Sequence, residues 1–233
     1  MALSRTSLIL GGGGSLGKAM VSTFRAGGWK VVNMDLRENQ EASSNIIVKD
    51  SALKLQVNDL ADQARSVTDR YDAIIVASGS FEAGSVKDEN IFEVYERVDR
   101  ANFQSALLGG HLASQFLAQQ GLLMFTGAAA VFEGPVNFAY AYGMTKSATH
   151  ALALHMAERT DIPESSSVVT ILPQVIDTED NRAAMPDADF STWTPPKGIA
   201  SMVHQWATGD NRPENGAFAK VMYEKGSVYP KFM

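Results

Sequence analysis

The chain has 233 residues, a formal net charge of −6 and no cysteine. The length predicts one large domain or two small ones, of ordinary globular composition. The mildly acidic balance argues against non-specific nucleic-acid binding, and the lack of cysteine excludes disulfides, thiolate catalysis and cysteine-ligated metals. No apolar run approaches the roughly 20 residues of a membrane helix, and no secretory signal precedes the first strand. We therefore expect a cytoplasmic protein that contacts neither membrane nor nucleic acid.

Short apolar runs alternate with longer amphipathic stretches. The pattern predicts strands at Thr6–Leu10, Lys30–Asp35, Ile46–Val48, Asp72–Ala77, Leu122–Thr126, Val168–Leu172 and Ala217–Tyr223. It predicts helices at Leu16–Ala26, Val57–Tyr71, Asn90–Gln119 and Ala139–Arg159. Continuously apolar strands that alternate with helices are typical of a parallel sheet covered on both faces. The predicted fold is therefore α/β, a single Rossmann-like doubly wound domain of about seven strands over residues 1–233.

A glycine-rich run, Gly11 to Gly17, follows the first predicted strand and opens the first predicted helix. In that position glycines let the backbone approach a pyrophosphate, and the helix N-terminus faces the phosphates. Asp35 ends the second strand, where an acidic residue would bind the adenosine ribose and repel the 2′-phosphate of NADP. Arg37 would soften this discrimination by pairing with a phosphate. The pattern predicts a dinucleotide site that favours NAD(H).

Tyr142 and Lys146 stand four residues apart on a predicted helix, which places both side chains on one face. A free phenol has a pKa of about 10, too high for efficient acid–base catalysis at neutral pH. A neighbouring ammonium stabilises the phenolate, so we expect Lys146 to lower the pKa of Tyr142. The same lysine can hydrogen-bond the nicotinamide ribose. The pair predicts a catalytic acid and the group that tunes it.

The glycine run, the acidic residue after the second strand and the tyrosine–lysine pair together resemble the short-chain dehydrogenase/reductase family. The resemblance covers essentially the whole chain and implies that Asn102 supports the catalytic lysine through a water. Ser15 replaces the second glycine of the family's turn pattern. Ala129 occupies the place of the family's catalytic serine. Because an alanine side chain cannot hydrogen-bond a carbonyl, an ordinary ketone becomes a less favoured substrate.

Several longer segments resemble one branch of that family, the quinoid dihydropteridine reductases, which also carry alanine at the serine position. These segments are Glu41-Ala42-Ser43, Gly143-Met144, 172–195 and 206–213. Phe81 lies near the place where that branch has a tryptophan lining the pterin site. The resemblance implies 6,7-dihydropteridine reductase activity, in which NADH reduces quinonoid dihydropterin to tetrahydropterin during tetrahydrobiopterin recycling. An electron-poor quinonoid ring accepts hydride without strong polarisation of a carbonyl, so the serine is dispensable.

The resemblance also implies a set of site residues. The catalytic residues would be Tyr142, Lys146 and Asn102. The cofactor, NADH with NADPH as the alternative, would contact Gly11, Gly14, Ser15, Leu16, Gly17, Asp35, Leu36, Ala77, Gly79, Lys146 and Pro173. The substrate would contact Phe81, Ala129, Tyr142 and Asn181, beneath a lid formed by residues 177–196. No metal ligand set is expected, because the four histidines show no metal-ligand spacing.

Small residues on the Tyr142 helix allow close helix packing, and family members commonly dimerise through it, so we expect a homodimer. Two other functions remain open on the sequence. One is an NADPH-dependent carbonyl or pteridine reductase, which predicts a serine at 129 and a basic residue in the glycine turn or at 35. The other is a non-catalytic dinucleotide sensor, which has no use for Tyr142, Lys146 and Asn102.

Overall fold

The structure is a computed structural model that describes residues 5–49, 52–158 and 161–233. Its strands are β1 (Thr6–Leu10), β2 (Lys30–Asp35), β3 (Ser44–Ile47), β4 (Tyr71–Val76), β5 (Leu117–Thr126), β6 (Ser167–Leu172), β7 (Ala217–Glu224) and β8 (Ser227–Phe232). Its α-helices are α1 (Ser15–Ala26), α2 (Val57–Val67), α3 (Ile91–Asp99), α4 (Ser105–Phe116), α5 (Ala129–Glu133), α6 (Tyr140–Ala157), α7 (Glu179–Ala184) and α8 (Pro196–Thr208). Short 3₁₀ turns lie at Leu53–Leu55 and Phe190–Thr192, and a π turn at Arg100–Gln104 joins α3 to α4.

All eight strands form one sheet in the order β3-β2-β1-β4-β5-β6-β7-β8. The first seven are parallel, and β8 pairs antiparallel with β7 at the edge. The predicted α/β, Rossmann-like fold is confirmed, and each of the seven predicted strands is present. The order reverses between β1 and β4. Loops that follow the carboxyl ends of these strands meet at one edge, where ligands bind in open α/β sheets.

Two hydrophobic clusters cover the two faces of the sheet. One joins β-strand side chains to α2, α4 and α6 and includes the fully buried Leu8, Ile74 and Phe125. The other joins them to α1 and α8 and includes Phe24 and Trp206. The continuously apolar strands are explained by this double coverage.

Two predicted helices end earlier than expected. The helix predicted to reach Tyr71 ends at Val67, because Tyr71 is fully buried as the first residue of β4 and its hydroxyl donates to Ala64 O at 2.8 Å. The helix predicted to reach Gln119 ends at Phe116, because β5 begins at the next residue, Leu117. Within β5, Gln120 has a left-handed φ of 59°. The helix predicted to end at Arg159 is described only to Glu158, so its predicted end lies outside the described residues.

The C-terminal third contains elements that the pattern did not predict. Helix α8 begins at a proline, a residue suited to the first helical turn, and ends at Gly209, whose φ of 98° is left-handed. Strand β8 follows a tight turn at Gly226 and covers the edge of β7. Two short helical turns, α7 and Phe190–Thr192, lie within the segment 177–196, which was predicted as a lid without helices.

Candidate active site

In the glycine turn between β1 and α1, the backbone at Gly17 packs directly against the backbone at Gly11. A Cβ at Gly17 would lie 1.9 Å from Gly11 O, and Gly11 itself has a φ of +87°. The N-cap residue Gly14 has no side chain to accept from the first-turn amides of α1. Those N–H groups and the positive end of the helix dipole are therefore available for an anion. The turn has the shape and the donors that a pyrophosphate requires.

The carboxylate of Asp35 lies against this turn. Its Oδ2 accepts from Gly13 N at 2.9 Å, and its Oδ1 accepts from Arg37 N at 3.0 Å. The Arg37 guanidinium reaches back to Gly13 O at 3.4 Å. Asp35 is thus fixed at the end of β2 beside the turn, with one positive charge close to it. This is the position from which a carboxylate can hydrogen-bond a ribose.

An asparagine network supports the chain after β2, and sequence reasoning missed it. The buried Asn39 donates from Nδ2 to Gly12 O at 2.7 Å, tying this loop to the glycine turn. Asn33 Nδ2 donates to Asn45 Oδ1 at 2.8 Å and to Arg37 O at 3.0 Å. The sequence did hold a signal for this network, since Asn33, Asn39 and Asn45 lie within thirteen residues. Their amides fix the loop that carries Arg37.

The loop after β4 brings together Gly79, Asn102 and Lys146. A Cβ at Gly79 would lie 3.0 Å from Asn102 Oδ1 and 3.2 Å from Lys146 Nζ. Asn102 lies in the π turn, accepts from Ser80 N at 2.9 Å and donates to Ser80 O and to Thr145 Oγ1, each at 3.1 Å. Its contacts therefore join the β4 loop directly to α6. π turns occur frequently at functional sites.

Two serines flank Gly79 in this loop. The Oγ atoms of Ser78 and Ser80 are buried and have no hydrogen-bond partner among the described residues. A Cβ at Gly11 would lie 2.5 Å from Ser78 N, so Ser78 directly adjoins the glycine turn. A buried unpaired hydroxyl is costly, by about 1–3 kcal/mol, unless a ligand supplies the partner. These hydroxyls fit a polar cofactor that runs from the glycine turn toward Lys146.

Burial dominates the titration of the tyrosine–lysine pair. It raises the pKa of Tyr142 to about 12 and lowers that of Lys146 to about 8. We expected the neighbouring ammonium to lower the pKa of Tyr142, but its pKa is raised, because burial disfavours the charged phenolate. Lys146 Nζ donates to Thr126 O at 2.8 Å. At neutral pH the phenol of Tyr142 therefore carries its proton.

The turn after β5 offers no hydrogen-bond donor to a substrate. Gly127 N donates to Ile171 O at 2.8 Å, and Ala129 N donates to Pro173 O at 3.1 Å. Ala128 N donates to the imidazole Nε2 of His150 at 3.2 Å. The Ala129 side chain is a methyl group that is 1% exposed. Neither the side chain nor the amides of this turn are available to polarise a carbonyl.

An aromatic wall, formed by Phe81 and Phe138, lies beside the phenol of Tyr142. The Phe81 ring is 5.0 Å from that of Tyr142 and 6.3 Å from that of Phe138, measured between centroids. Phe81 is 52% exposed and Phe138 is 61% exposed. Gly84 N donates to Phe138 O at 2.9 Å, which ties the two loops together. Phe138 was missed because nothing in the sequence placed its loop against the β4 loop.

The segment 177–196 is closed at its base and mostly exposed beyond it. Asp177 N donates to Thr194 O at 2.9 Å, and only Trp193 and Thr194 are buried within it. The Arg182 guanidinium makes two bonds to the Asp177 carboxylate, at 2.6 and 2.8 Å, and lies 4.6 Å from the Phe190 ring. The buried Trp193 anchors one end of the segment. These contacts give the predicted lid an internal scaffold.

The remaining predicted residues lie at the same edge of the sheet. Leu36 is 57% exposed beyond β2, Ala77 N donates to Leu10 O at 2.9 Å, and Pro173 is buried after β6. Asn181 donates from Nδ2 to Ile176 O at 2.8 Å, so its amide now supports the segment 177–196. The structure gathers the predicted residues around the carboxyl ends of β1, β2, β4, β5 and β6.

Within the described residues, no group of three or more histidine, aspartate or glutamate side chains is arranged to hold a metal ion. In the same ranges, no helix combines the length and apolarity needed to cross a membrane.

Comparisons with known proteins agree with this geometry. Residues 5–189 match the model of the short chain dehydrogenase family. The chain is 32% identical over 220 residues to a dihydropteridine reductase of Dictyostelium discoideum, covering 94% of both proteins. Ligand-free aldohexose dehydrogenase of Thermoplasma acidophilum shares the fold with a TM-score of 0.80 at 17% identity, covering 93% of this chain and 92% of that one. BdcA, solved in complex with NADPH, gives a TM-score of 0.76 at 22% identity, covering 97% and 96%.

The fold and the site define an NAD(P)-binding α/β oxidoreductase. The chain belongs to the short-chain dehydrogenase/reductase family.

Proposed function

We propose that this oxidoreductase is a dihydropteridine reductase, which uses NADH to reduce quinonoid dihydropterin to tetrahydropterin. The observation that carries the proposal is the turn Gly127–Ala129, whose amides are all engaged and whose alanine lacks a hydroxyl. A simple ketone needs its oxygen polarised, whereas an electron-poor quinonoid ring accepts hydride without that help. The 32% identity to a dihydropteridine reductase supports the same substrate class.

The cofactor would lie along residues whose geometry suits it. The pyrophosphate would meet the first-turn amides of α1, and the adenosine ribose would meet Asp35, whose charge disfavours a 2′-phosphate. The unpaired hydroxyls of Ser78 and Ser80 and the ammonium of Lys146 lie farther along the same path. A bound nicotinamide supplies the hydride. BdcA, which shares the fold, was solved in complex with NADPH, so NADPH is kept as the alternative cofactor.

Tyr142 supplies the proton in this proposal. Because burial keeps its pKa near 12, the phenol is protonated at neutral pH and serves as the acid in a reduction. Asn102 fixes the β4 loop against α6 through Ser80 and Thr145, which sets the distance between the cofactor path and the phenol. Lys146 holds the end of β5 and presents its charge beside Gly79.

The aromatic wall would hold the flat bicyclic ring. Two half-exposed rings next to a catalytic phenol are an expected platform for stacking. We expect Phe81→Ala and Phe138→Ala each to raise the KM for the pterin by about tenfold, with kcat less affected. Phe92→Ala on α3, which removes an aromatic ring that is 78% exposed, is the matched control. Equal effects of all three substitutions would contradict the assignment.

The deciding experiment measures NADH oxidation with quinonoid dihydropterin generated in the assay. We expect rapid turnover that Tyr142→Phe lowers by about 10²- to 10⁴-fold, with NADH binding retained. Tyr229→Phe on β8 is the control, and NADPH is run in parallel. Tight NADH binding without turnover above background would reject the proposal and favour the non-catalytic sensor.

We also propose that the protein is a homodimer through α4 and α6. Each helix leaves a leucine half exposed, Leu107 on α4 at 50% and Leu154 on α6 at 53%. Closed two-fold dimers are the commonest assemblies, and they bury such apolar surface. Light scattering at micromolar protein should give twice the chain mass of 25.1 kDa. A monomeric mass would contradict it.

A further inference from the structure

Helix α6 contacts the end of β5 at two successive points. Lys146 Nζ donates to Thr126 O at 2.8 Å. One helical turn farther on, His150 Nε2 accepts from Ala128 N at 3.2 Å. One contact uses a donor on the helix and the other an acceptor, so the helix cannot slide along the strand end without losing both.

The two contacts join neighbouring positions of both segments. Lys146 and His150 lie four residues apart on one face of α6, and Thr126 and Ala128 lie two residues apart at the end of β5 and in the turn that follows it. We call this pair of contacts the α6–β5 clamp.

The imidazole of His150 is half-buried and neutral. Its ring lies 5.4 Å from that of Phe218 and 6.0 Å from that of Phe132, between centroids. A Cβ at Gly127 would lie 2.4 Å from Nε2, so only glycine permits the close approach. Burial first, and then the Lys146 charge, lower the pKa of His150 to about 4. Neutral imidazole can accept at Nε2 while it carries its proton on Nδ1.

We propose that His150 is a positioning residue, which holds the Ala129 turn and sets the register of α6 by accepting a hydrogen bond from the Ala128 amide. Through that register it places the phenol of Tyr142 beside the aromatic wall and the ammonium of Lys146 beside Gly79. The aromatic wall would hold the pterin ring, so the distance between the wall and the Tyr142 phenol sets the distance for proton transfer. Small displacements of catalytic groups lower rates steeply. The effect on turnover rests on the proposed function, but the structural role of His150 does not.

The first test compares His150→Leu with His150→Gln. Leucine removes the acceptor, whereas the glutamine Oε1 can reach the place of Nε2 and accept from the same amide. We expect His150→Leu to lower kcat for quinonoid dihydropterin by about tenfold or more, and His150→Gln to stay within about threefold of wild type. In His150→Leu, NADH affinity should fall less than kcat, because the glycine turn and Asp35 belong to other elements and keep their place when Lys146 shifts.

A matched control separates positioning from stability. Phe218→Leu removes a ring contact of His150 but leaves the hydrogen bond in place. We expect this variant to lose thermal stability while keeping kcat. If Phe218→Leu loses as much activity as His150→Leu, or if leucine and glutamine at 150 are equally impaired, the positioning role is rejected.

Hydrogen exchange provides a readout that needs no substrate. The Ala128 amide should exchange at least about tenfold faster in His150→Leu than in wild type, and at a near-native rate in His150→Gln. Unchanged protection of that amide in His150→Leu would overturn the inference, even if turnover fell. Should wild type show no pterin turnover, this measurement still decides the role of His150, and only the proposed function fails.

Discussion

The two sides of the site are built differently. On the cofactor side, the glycine turn and the chain after β2 are held by hydrogen bonds to the backbone, such as Asp35 to Gly13 N and Asn39 to Gly12 O. On the other side, the segment 177–196 is held at its base and crossed by the exposed pair Asp177–Arg182. The first side depends on close backbone approach, and the second on contacts between side chains.

The difference bears on how each side can move. Buried backbone contacts resist displacement, so the cofactor side is formed before any ligand arrives. An exposed ion pair contributes at most about 1 kcal/mol, so it yields easily to a ligand or to a neighbouring charge. We therefore expect the cofactor side to be rigid and the segment 177–196 to gain order when ligands bind.

The largest effect should come from Lys146, which stands between the two sides. We expect Lys146→Met to lower kcat/KM by about 10³-fold and, at pH 7, to raise Tm by about 3–6 °C, because a buried charge is removed. Between pH 8 and 10.5, wild type should gain stability with rising pH, since the folded lysine loses its proton at lower pH than the unfolded one. Thermal unfolding of wild type between pH 8 and 10.5 tests whether stability rises with pH. Equal Tm values of wild type and Lys146→Met at pH 7 would contradict the cost of the buried charge.

A methyl group in the glycine turn should disrupt the cofactor side of the site without changing the segment 177–196. Gly17→Ala places its Cβ 1.9 Å from Gly11 O, so the turn must open. We expect at least about a 100-fold loss of NADH affinity by fluorescence titration. Gly134→Ala, which meets no atom within 4 Å, is the control for the glycine substitution. Retained affinity in Gly17→Ala would show that the turn is not preformed.

Charge at position 35 should change selectivity. Asp35→Asn keeps an oxygen that can accept from Gly13 N but removes the repulsion of a 2′-phosphate. We expect the ratio of kcat/KM for NADPH over NADH to rise by about tenfold, with the Arg37 guanidinium close to the turn as a partner. The double variant with Arg37→Gln should lose most of that gain. An unchanged ratio in Asp35→Asn would remove Asp35 from the ribose site.

The smallest effect should come from the segment 177–196. Arg182→Gln removes the pair with Asp177 and the contact with Phe190, and we expect only a small loss of stability, because the pair is exposed to solvent. The KM for the pterin should rise by about two- to fivefold. Proteolysis within the segment should slow when NADH is added to wild type and slow less in Arg182→Gln. Cleavage that NADH does not change would count against a lid.

The sequence predicted most of the fold because its signals were local. Apolar runs identified the seven parallel strands, and the glycine run located the turn after β1. The segment 177–196 was predicted as a lid without its two helical turns. Helix α8, which packs beside α1 on one face of the sheet, and strand β8, which covers the edge of β7, were missed because their local patterns are weak without those tertiary contacts. The start of β4 at Tyr71 depends on a buried hydroxyl contact that no local pattern contains.

The site was predicted less evenly. Tyr142, Lys146 and Asp35 could be found because their spacing follows from helix and strand periodicity. Phe138 and His150 could not, since their contacts join segments that are far apart in the chain. The pKa of Tyr142 was predicted in the wrong direction, because the sequence shows the neighbouring charge but not the burial that raises the pKa.

The π turn at Arg100–Gln104 has a consequence for insertions and deletions. Each residue turns an α-helix by about 100°, so one extra residue within a turn rotates everything beyond it. Here it lets α3 direct Val94 and Val98 toward α6 while α4 directs Leu112 toward the sheet. Deleting one residue from this turn would keep the helix but swing one of those faces into solvent. The length of this stretch is therefore constrained in addition to the identity of Asn102 within it.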